Sequence, residues 1–299
     1  MNTETIPSIP AKTIIQKNNS PDQWFGLDYN MNIYRGCPHG CVYCDSRSDC
    51  FKNPDFETVK VKENALEVIR NELTRKTKTG IIGTGAMSDP YNPLEKELKL
   101  TRHSLELINA FGFGVSPITK SDLITRDADV LLDIKCHSPV NVKFTITTAD
   151  DELCKKLEPC VSITSERFEA MSRLSAQGLF CGVLILPLLP FVNDTEENVL
   201  KILRMTKEAG GKYVYTYMGM TLRQGSREIY YKHLDDILPG IKEKYMKRFG
   251  VRYSCISPRS KKLWNVFTAE CERLGLLYDM KAIIFGYKAG YGSGQLTLL

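Results

Sequence analysis

Short apolar runs alternate along most of the chain with stripes of apolar residues spaced three or four apart. The runs Asn32–Arg35, Gly80–Gly83, Phe113–Ile118, Val142–Thr147, Cys181–Leu186 and Tyr213–Tyr217 have strand length. Between them, Leu66, Ile69 and Leu73 mark one helix. Leu94, Leu98, Leu105 and Ile108 mark a second, with Thr101 filling the gap in its stripe. Phe168, Met171 and Leu174 mark another, and Val199, Ile202 and Leu203 one more; Leu123, Val130 and Ile134 form a weaker stripe. Strands separated by helices at intervals of about 30 to 50 residues predict an α/β fold, a parallel sheet built from right-handed crossovers. Periodicity leaves open whether that sheet is an open twisted one or a partial barrel. In either case ligands gather at the C-terminal ends of the strands.

The pattern also divides the chain. Residues 1–30 are polar, with Pro7 and Pro10, and read as an N-terminal arm laid over the surface. The strand–helix alternation fills residues 31–219. After residue 220 it stops, and helical patterns around Ile229–Ile241 and Lys262–Leu274 predict a mainly helical region over 220–285. Residues 286–299, opening with the Gly-rich stretch Gly286–Gly294, read as a flexible tail ending in Gln295-Leu-Thr-Leu-Leu299.

Composition narrows the classes. With 299 residues, 42% of them hydrophobic and 25% charged, the chain has the make-up of a globular protein able to bury a large core, not of a disordered or collagen-like one. Its ten cysteines are too sparse for a disulfide-stapled scaffold. No run has signal-peptide or membrane-span length, so a reducing, cytoplasmic setting without membrane contact is expected. The formal net charge of +5 says little until it is located: residues 220–262 carry eleven Lys and Arg against four acids. Such a segment suits an anionic partner, nucleic acid among them, and equally suits a solvated helix face.

The densest chemistry follows the first predicted strand, in Cys37-Pro-His-Gly-Cys41-Val-Tyr-Cys44. Three thiols within eight residues, on a turn containing Pro38 and Gly40, can converge on one centre. A closed zinc site needs a fourth ligand, here Cys50 or His39. An iron–sulfur cubane normally takes four thiolates; held by three, it keeps one iron without a protein ligand. The remaining cysteines (Cys136, Cys154, Cys160, Cys181, Cys255, Cys271) are scattered and suit core filling, with Cys160 beside Pro159 near a strand end. His39, His103, His137 and His233 form no ligand spacing with one another and read as surface or loop residues.

The spacing CxxxCxxC, with aromatic Tyr43 directly before the third cysteine, resembles the signature of the radical SAM superfamily. That resemblance implies a partial (β/α)6 barrel of the radical SAM type with a helical C-terminal extension. It implies a [4Fe-4S] cluster on Cys37, Cys41 and Cys44. It also implies S-adenosyl-L-methionine on the open iron, cleaved reductively to a 5′-deoxyadenosyl radical, with electrons from a flavodoxin or ferredoxin. Ser88-Asp-Pro-Tyr-Asn-Pro-Leu-Glu95 with Thr101-Arg102, Thr119-Lys120-Ser121 with Arg126-Asp127, Glu158-Pro159 with Arg167, and Leu186-Pro187 with Asn193-Asp194 further resemble the spore photoproduct lyase branch. By that resemblance Ser88 and Asp89 approach the amino and ribose groups of S-adenosylmethionine, and Lys120 its carboxylate. Thr145 is expected on the ribose or methionyl part, and Tyr43 offers its backbone to the adenine. Glu158 and Arg167 either orient the cofactor or bond each other. The residues taken alone also fit plainer roles: Asp89 in a turn, Lys120 on the surface, Thr145 as an ordinary strand residue.

One position departs from the branch. Its hydrogen-donor cysteine, two residues before the serine matching Ser88, is Ala86 here. The expected activity is therefore a lyase-like radical reaction on nucleic acid, of the DNA repair kind, different from that of a standard spore photoproduct lyase. The alternatives are a radical enzyme for a protein or small molecule, and a DNA-associated iron–sulfur scaffold. Gln295, Leu296, Leu298 and Leu299 resemble a bacterial sliding-clamp-binding peptide, which would point the same way as the basic segment. Tyr213, Tyr215 and Tyr217 share one face of the last strand, available either to the core or to stacked bases.

Overall fold

The computed structural model describes residues 6–21 and 23–291. Five short strands come first: β1 (Ser8–Ile9), β2 (Ile15–Lys17), β3 (Tyr29–Met31), β4 (Tyr34–Arg35) and β5 (Lys60–Lys62). The alternation then runs α1 (Ala65–Thr74), β6 (Ile81–Thr84), α2 (Glu95–Leu98), α3 (Leu100–Ala110), β7 (Gly114–Thr119), α4 (Ala128–Lys135) and β8 (Asn141–Thr145). It continues through α5 (Asp151–Leu157), α6 (Thr164–Ala176), β9 (Phe180–Ile185), α7 (Glu196–Glu208) and β10 (Tyr213–Thr216). The C-terminal part holds β11 (Gly219–Thr221), α8 (Ser226–Ile237), α9 (Ile241–Phe249), β12 (Ser254–Ile256), α10 (Ser260–Leu274) and α11 (Met280–Lys288).

Strands β3, β6, β7, β8, β9 and β10 pair in that order, all parallel, and β2 adds antiparallel to β3. The sheet does not close on itself, so the fold is a partial barrel of the radical SAM type with α1 to α7 packed outside it. Buried residues line every position of β6 and β8, as expected of strands covered on both faces.

Several expectations shift. The first sheet strand is Tyr29–Met31, in register with Ile82 to Thr84, not Asn32–Arg35. The end of that run, Tyr34–Arg35, instead pairs antiparallel with β5 in a separate sheet with β1. The helix expected from Leu94 to Ile108 is broken at Lys99, whose φ is +51°, because buried Glu95 turns inward. Its carboxylate accepts from Tyr34 Oη and from the Thr101 amide (2.7 Å), and pairs with Arg126 (3.1 Å). Gly286 to Lys288 are helical, so the tail is ordered further than expected. The C-terminal region also carries an unpredicted antiparallel pair, β11 with β12, joining Gly219 to Ile256. The peptide Gln295–Leu299 lies outside the described residues.

The arm does more than cover the surface. Besides donating β2, it buries Phe25 among β8, β10 and α11. Phe25 is fully buried against Tyr213 and Tyr215 of β10, with ring centroids 5.8 and 5.6 Å away. Helix α11 locks this residue: Tyr287 Oη donates to the Phe25 carbonyl (2.6 Å) and Lys288 Nζ to that of Gly26 (2.8 Å). Against it lies a fully buried lysine, Lys143 of β8, which donates to the Ser116 carbonyl (2.9 Å) and hydroxyl and sits over the Phe25 ring. Burial pushes its pKa well below the usual lysine value.

Candidate active site

The loops leaving the C-terminal ends of the strands enclose a cavity of about 690 Å³. Two of these loops are held by backbone geometry that few residues allow. Gly36, ahead of the first cysteine, has φ +87°, and a Cβ there would stand 2.4 Å from the Thr58 carbonyl oxygen. Gly85, at the exit of β6, has φ +90°, with a hypothetical Cβ 2.1 Å from the Ile118 carbonyl oxygen. Only glycine fits either place.

Cys37, Cys41 and Cys44 all face this cavity as free thiols. Burial, with Asp89 adding to it, pushes the Cys37 thiol up to about 11, and burial raises Cys41 further against the opposing pull of Lys120. Metal ligation reverses this, since a coordinated thiol loses its proton. Among the described residues, no three His, Cys, Asp or Glu side chains converge tightly enough to chelate one ion. A cubane asks for less convergence, because each thiolate takes a different iron. Cys50 is exposed, off the cavity wall, and paired with Ser48 Oγ (3.1 Å). The donor set is therefore three thiols on one loop, which fits a cluster with an open iron.

Ser88 and Asp89 tie neighbouring loops together at the wall. Ser88 Oγ donates to the Gly36 carbonyl, fixing the start of the cysteine loop. Asp89 accepts from the Tyr91 amide (2.9 Å), Thr119 Oγ1 (2.7 Å) and the Lys120 amide (2.8 Å), and lies 3.5 Å from His39 Nδ1. The Asp89 carboxylate thus staples the β6 exit to the β7 exit. His39 is buried on the cavity wall, not a surface residue, and burial holds its pKa below the ordinary value. Its place between two of the three cysteines was the signal available in the sequence.

Lys120 brings a positive charge to the same wall, 5.9 Å from the Tyr43 ring centroid. Burial opposes its charge, but Cys41, Glu158 and Asp89 outweigh burial and leave its pKa raised. An ammonium in this place suits an anionic group such as a carboxylate. Thr145 also lines the cavity.

Glu158 and Arg167 do not line it. They form a fully buried ion pair behind the wall. Glu158 also accepts from Tyr43 Oη and from Thr147 Oγ1 (3.1 Å), while Arg167 donates to the carbonyls of Ser162 (2.6 Å) and Thr145 (2.8 Å). The pair therefore positions Tyr43 and the β8 exit, both of which reach the cavity. Asn193 and Asp194 act similarly: Asn193 Nδ2 donates to the Thr147 carbonyl (2.8 Å), and Asp194 accepts from Ser257 Oγ (2.5 Å) and the Phe191 amide (2.7 Å). Of the scattered cysteines, Cys154, Cys181, Cys255 and Cys271 are buried, and Cys154 Sγ meets both Glu158 (3.6 Å) and Arg167 (3.4 Å). Cys136 and Cys160 are exposed, and the Cys160 amide donates to the His39 carbonyl (3.2 Å).

The opposite wall comes from the C-terminal region. Met220 and Thr221 of β11 and Tyr253 ahead of β12 line the cavity, with Tyr215 and Tyr217 from the end of β10 and Trp24 from the arm. Tyr213, on the same strand face, is buried and bonded to Asn141 Oδ1 (2.8 Å), so the three tyrosines climb from barrel floor to rim. The basic helix α9 stands directly behind: Tyr245 Oη reaches Met220 Sδ at 3.3 Å, while Lys244, Lys247 and Arg248 are exposed. Other cations of the segment have partners within the chain: Arg227 donates to the carbonyls of Leu222, Val251 and Arg252, and exposed Lys262 pairs with Glu196 at the surface.

Among curated proteins, the chain is 32% identical over 231 residues to an uncharacterized protein of Methanocaldococcus jannaschii, covering 76% of this chain and 81% of that protein. It is 32% identical over 206 residues to an uncharacterized protein of Mycobacterium tuberculosis, covering 67% of this chain and spanning only 60% of the relative's length. Among solved structures, it resembles spore photoproduct lyase complexed with dinucleoside spore photoproduct, with TM-score 0.63 and 14% identity over 93% of this chain and 80% of that one. It also resembles the radical S-adenosylmethionine methyltransferase TsrM of Kitasatospora setae, with TM-score 0.53 and 13% identity over 82% of this chain and 51% of that one. At such identities the likeness concerns the fold alone. No helix of the described residues is long and apolar enough to cross a membrane. The radical SAM superfamily pattern matches residues 31–203, the stretch that holds the cysteine loop and strands β6 to β9 of the parallel barrel sheet, and the chain belongs to that superfamily.

Proposed function

We propose that this chain is a radical SAM enzyme acting on nucleic acid through a lyase-like reaction. One observation carries the reading: the cysteine loop and the uncharged Met220, Thr221 and Tyr253 of the C-terminal segment line the same cavity, and the exposed cations of that segment lie outside it, on α9 and at Arg252. Cys37, Cys41 and Cys44 would hold a [4Fe-4S] cluster, with Lys120 and Thr145 toward S-adenosylmethionine. When bound, that pair supplies one-electron cleavage of a carbon–sulfur bond and a radical able to abstract a substrate hydrogen. The chain's own residues orient and enclose. Lys120 offers an ammonium to a carboxylate, Asp89 and Ser88 fix the loops around it, and Tyr43 is held in place by Glu158. Ala86, which by the sequence resemblance takes the place of the lyase branch's donor cysteine, lines the cavity, and that resemblance favours a different final hydrogen transfer.

Exposed Lys244, Lys247, Arg248 and Arg252 supply the phosphate-facing charge. A flavodoxin- or ferredoxin-type donor and a sliding clamp bound through Gln295–Leu299 complete the reading. The test is anaerobic reconstitution with iron and sulfide, followed by dithionite and S-adenosylmethionine. 5′-Deoxyadenosine should form with the wild type and be lost in Cys41→Ala; none from the wild type would end the enzymatic reading. Affinity for DNA should fall steeply with salt, and a flat dependence would move the substrate to a protein or small molecule.

A further inference from the structure

The mouth of the cavity is lined by aromatic rings that the protein leaves in water. Trp24, Tyr217 and Tyr253 are 39%, 46% and 49% exposed, and all three border the same cavity. Large exposed aromatics gathered at one opening mark a binding surface more often than chance scatter does.

These rings are held rather than loose. Trp24 stands edge-to-face against both Phe25 and Tyr215, at interplanar angles of 84° and 85°. Tyr217 Oη meets Ser254 Oγ at 3.0 Å, which fastens the β10 exit to β12. Tyr253 belongs to a column. The Arg223 guanidinium lies over the Tyr253 ring at 5.0 Å and over Phe51 at 5.3 Å, and Arg223 Nη2 donates to Tyr253 Oη (3.0 Å). Asp45 anchors the guanidinium at 3.2 Å and accepts from Thr221 Oγ1 at 3.1 Å. Arg223 is therefore spent on ordering the column, while the cavity side of Tyr253 remains open. Rings ordered before binding lose little conformational entropy when a flat group stacks on them.

We infer that this lip receives an unpaired nucleobase, stacked on the open side of Tyr253 and bordered by Trp24 and Tyr217. The neighbouring backbone phosphates run toward exposed Arg252 and the basic face of α9. The inference rests on the nucleic-acid reading above and sharpens it: the substrate is single-stranded or presents a base turned out of its helix. Stacking suits this because every base offers a flat face regardless of sequence. The adjacent exposed cations favour a nucleotide over an uncharged aromatic group.

The test uses the full-length reconstituted holoprotein carrying Trp264→Phe, which leaves Trp24 as its only tryptophan. It is titrated anaerobically with dodecathymidylate, with an abasic strand of equal length and charge, and with the dodecathymidylate duplex. The expected result is a change in Trp24 emission with the single strand and weaker binding of the abasic strand and the duplex. Tyr253→Leu should lower affinity for the base-bearing strand by about 5- to 150-fold while leaving abasic binding nearly unchanged. Tyr253→Phe, which keeps the ring, should restore it. Equal affinity for base-bearing and abasic strands, with a steep salt dependence, would overturn base stacking and leave the nucleic-acid reading standing. Binding the duplex as tightly as the single strand would overturn the unpaired base. Absence of binding by every oligonucleotide, or a Trp24 response to a tyrosine-bearing peptide alone, would remove both.

Discussion

The buried pair behind the cavity makes the sharpest energetic prediction. In Glu158→Gln the shape is nearly kept, but the Arg167 guanidinium, fully buried, loses its only carboxylate partner among the described residues. Its bonds to the carbonyls of Ser162 and Thr145 remain, so it stays charged and in place. The new amide also turns a donor toward either Arg167 or Tyr43, both of which are donors to Glu158 in the wild type. Removing one partner of a buried ion pair costs about 3–5 kcal/mol, mostly as the penalty on the charge left behind. Against a total stability of about 5–15 kcal/mol, that is a large fraction. It should appear as a fall in melting temperature on the order of 6–15 °C. The assay is urea and thermal denaturation of wild type, Glu158→Gln, Arg167→Met and the double variant. The double variant should recover most of the loss, because a neutral, well-packed site is no worse than an ion pair there. A single-variant loss below about 1 kcal/mol, within the range of a surface pair, would refute the reasoning.

Three further outcomes follow from other parts of the structure. Gly85→Ala forces a side chain into the Ile118 carbonyl at φ +90°, so it should destabilise by more than about 2 kcal/mol in urea melts, and a neutral result would refute the tight approach. Ser88→Ala removes one bond holding the cysteine loop and should cost about 1 kcal/mol while lowering iron retained per chain after reconstitution; unchanged iron content would show that the tie is dispensable. Lys143 has a folded pKa below its unfolded value, so the unfolded chain binds more protons between the two and wild-type stability rises with pH across that window up to about 10.5. Lys143→Met should be more stable than wild type at pH 7 and lose this slope, as read by urea melts at successive pH values; an unchanged slope would show that Lys143 is not its source.

How much of this was legible before folding depends on the range of each interaction. The cysteine loop could be read because its spacing is local: Cys37, Cys41 and Cys44 share one turn whatever the rest of the chain does. The helix stripes could be read for the same reason, and α1, α6 and α7 follow them closely. The exceptions mark competition from distant partners. Glu95 breaks its helical stripe because Tyr34 and Arg126 draw it inward. Asn32–Arg35 has strand propensity, yet residues 29–31 hold the register against β6 while Tyr34–Arg35 pairs elsewhere.

The remaining features come from segments that meet only in three dimensions. Phe25 packs against residues of β10 nearly 190 positions later, and β11 meets β12 across two helices. The aromatic lip draws on Trp24, Tyr217 and Tyr253, three places that share no local pattern. Glu158 and Arg167 looked equally able to touch a cofactor or each other, and only burial behind the wall separated these roles. Local spacing specifies which groups a turn or helix presents, since backbone geometry fixes that over a few residues. Which of those groups face one another, are cut off from water, or share a cavity is set by long-range packing, and the physical character of a charge or a ring follows from that packing.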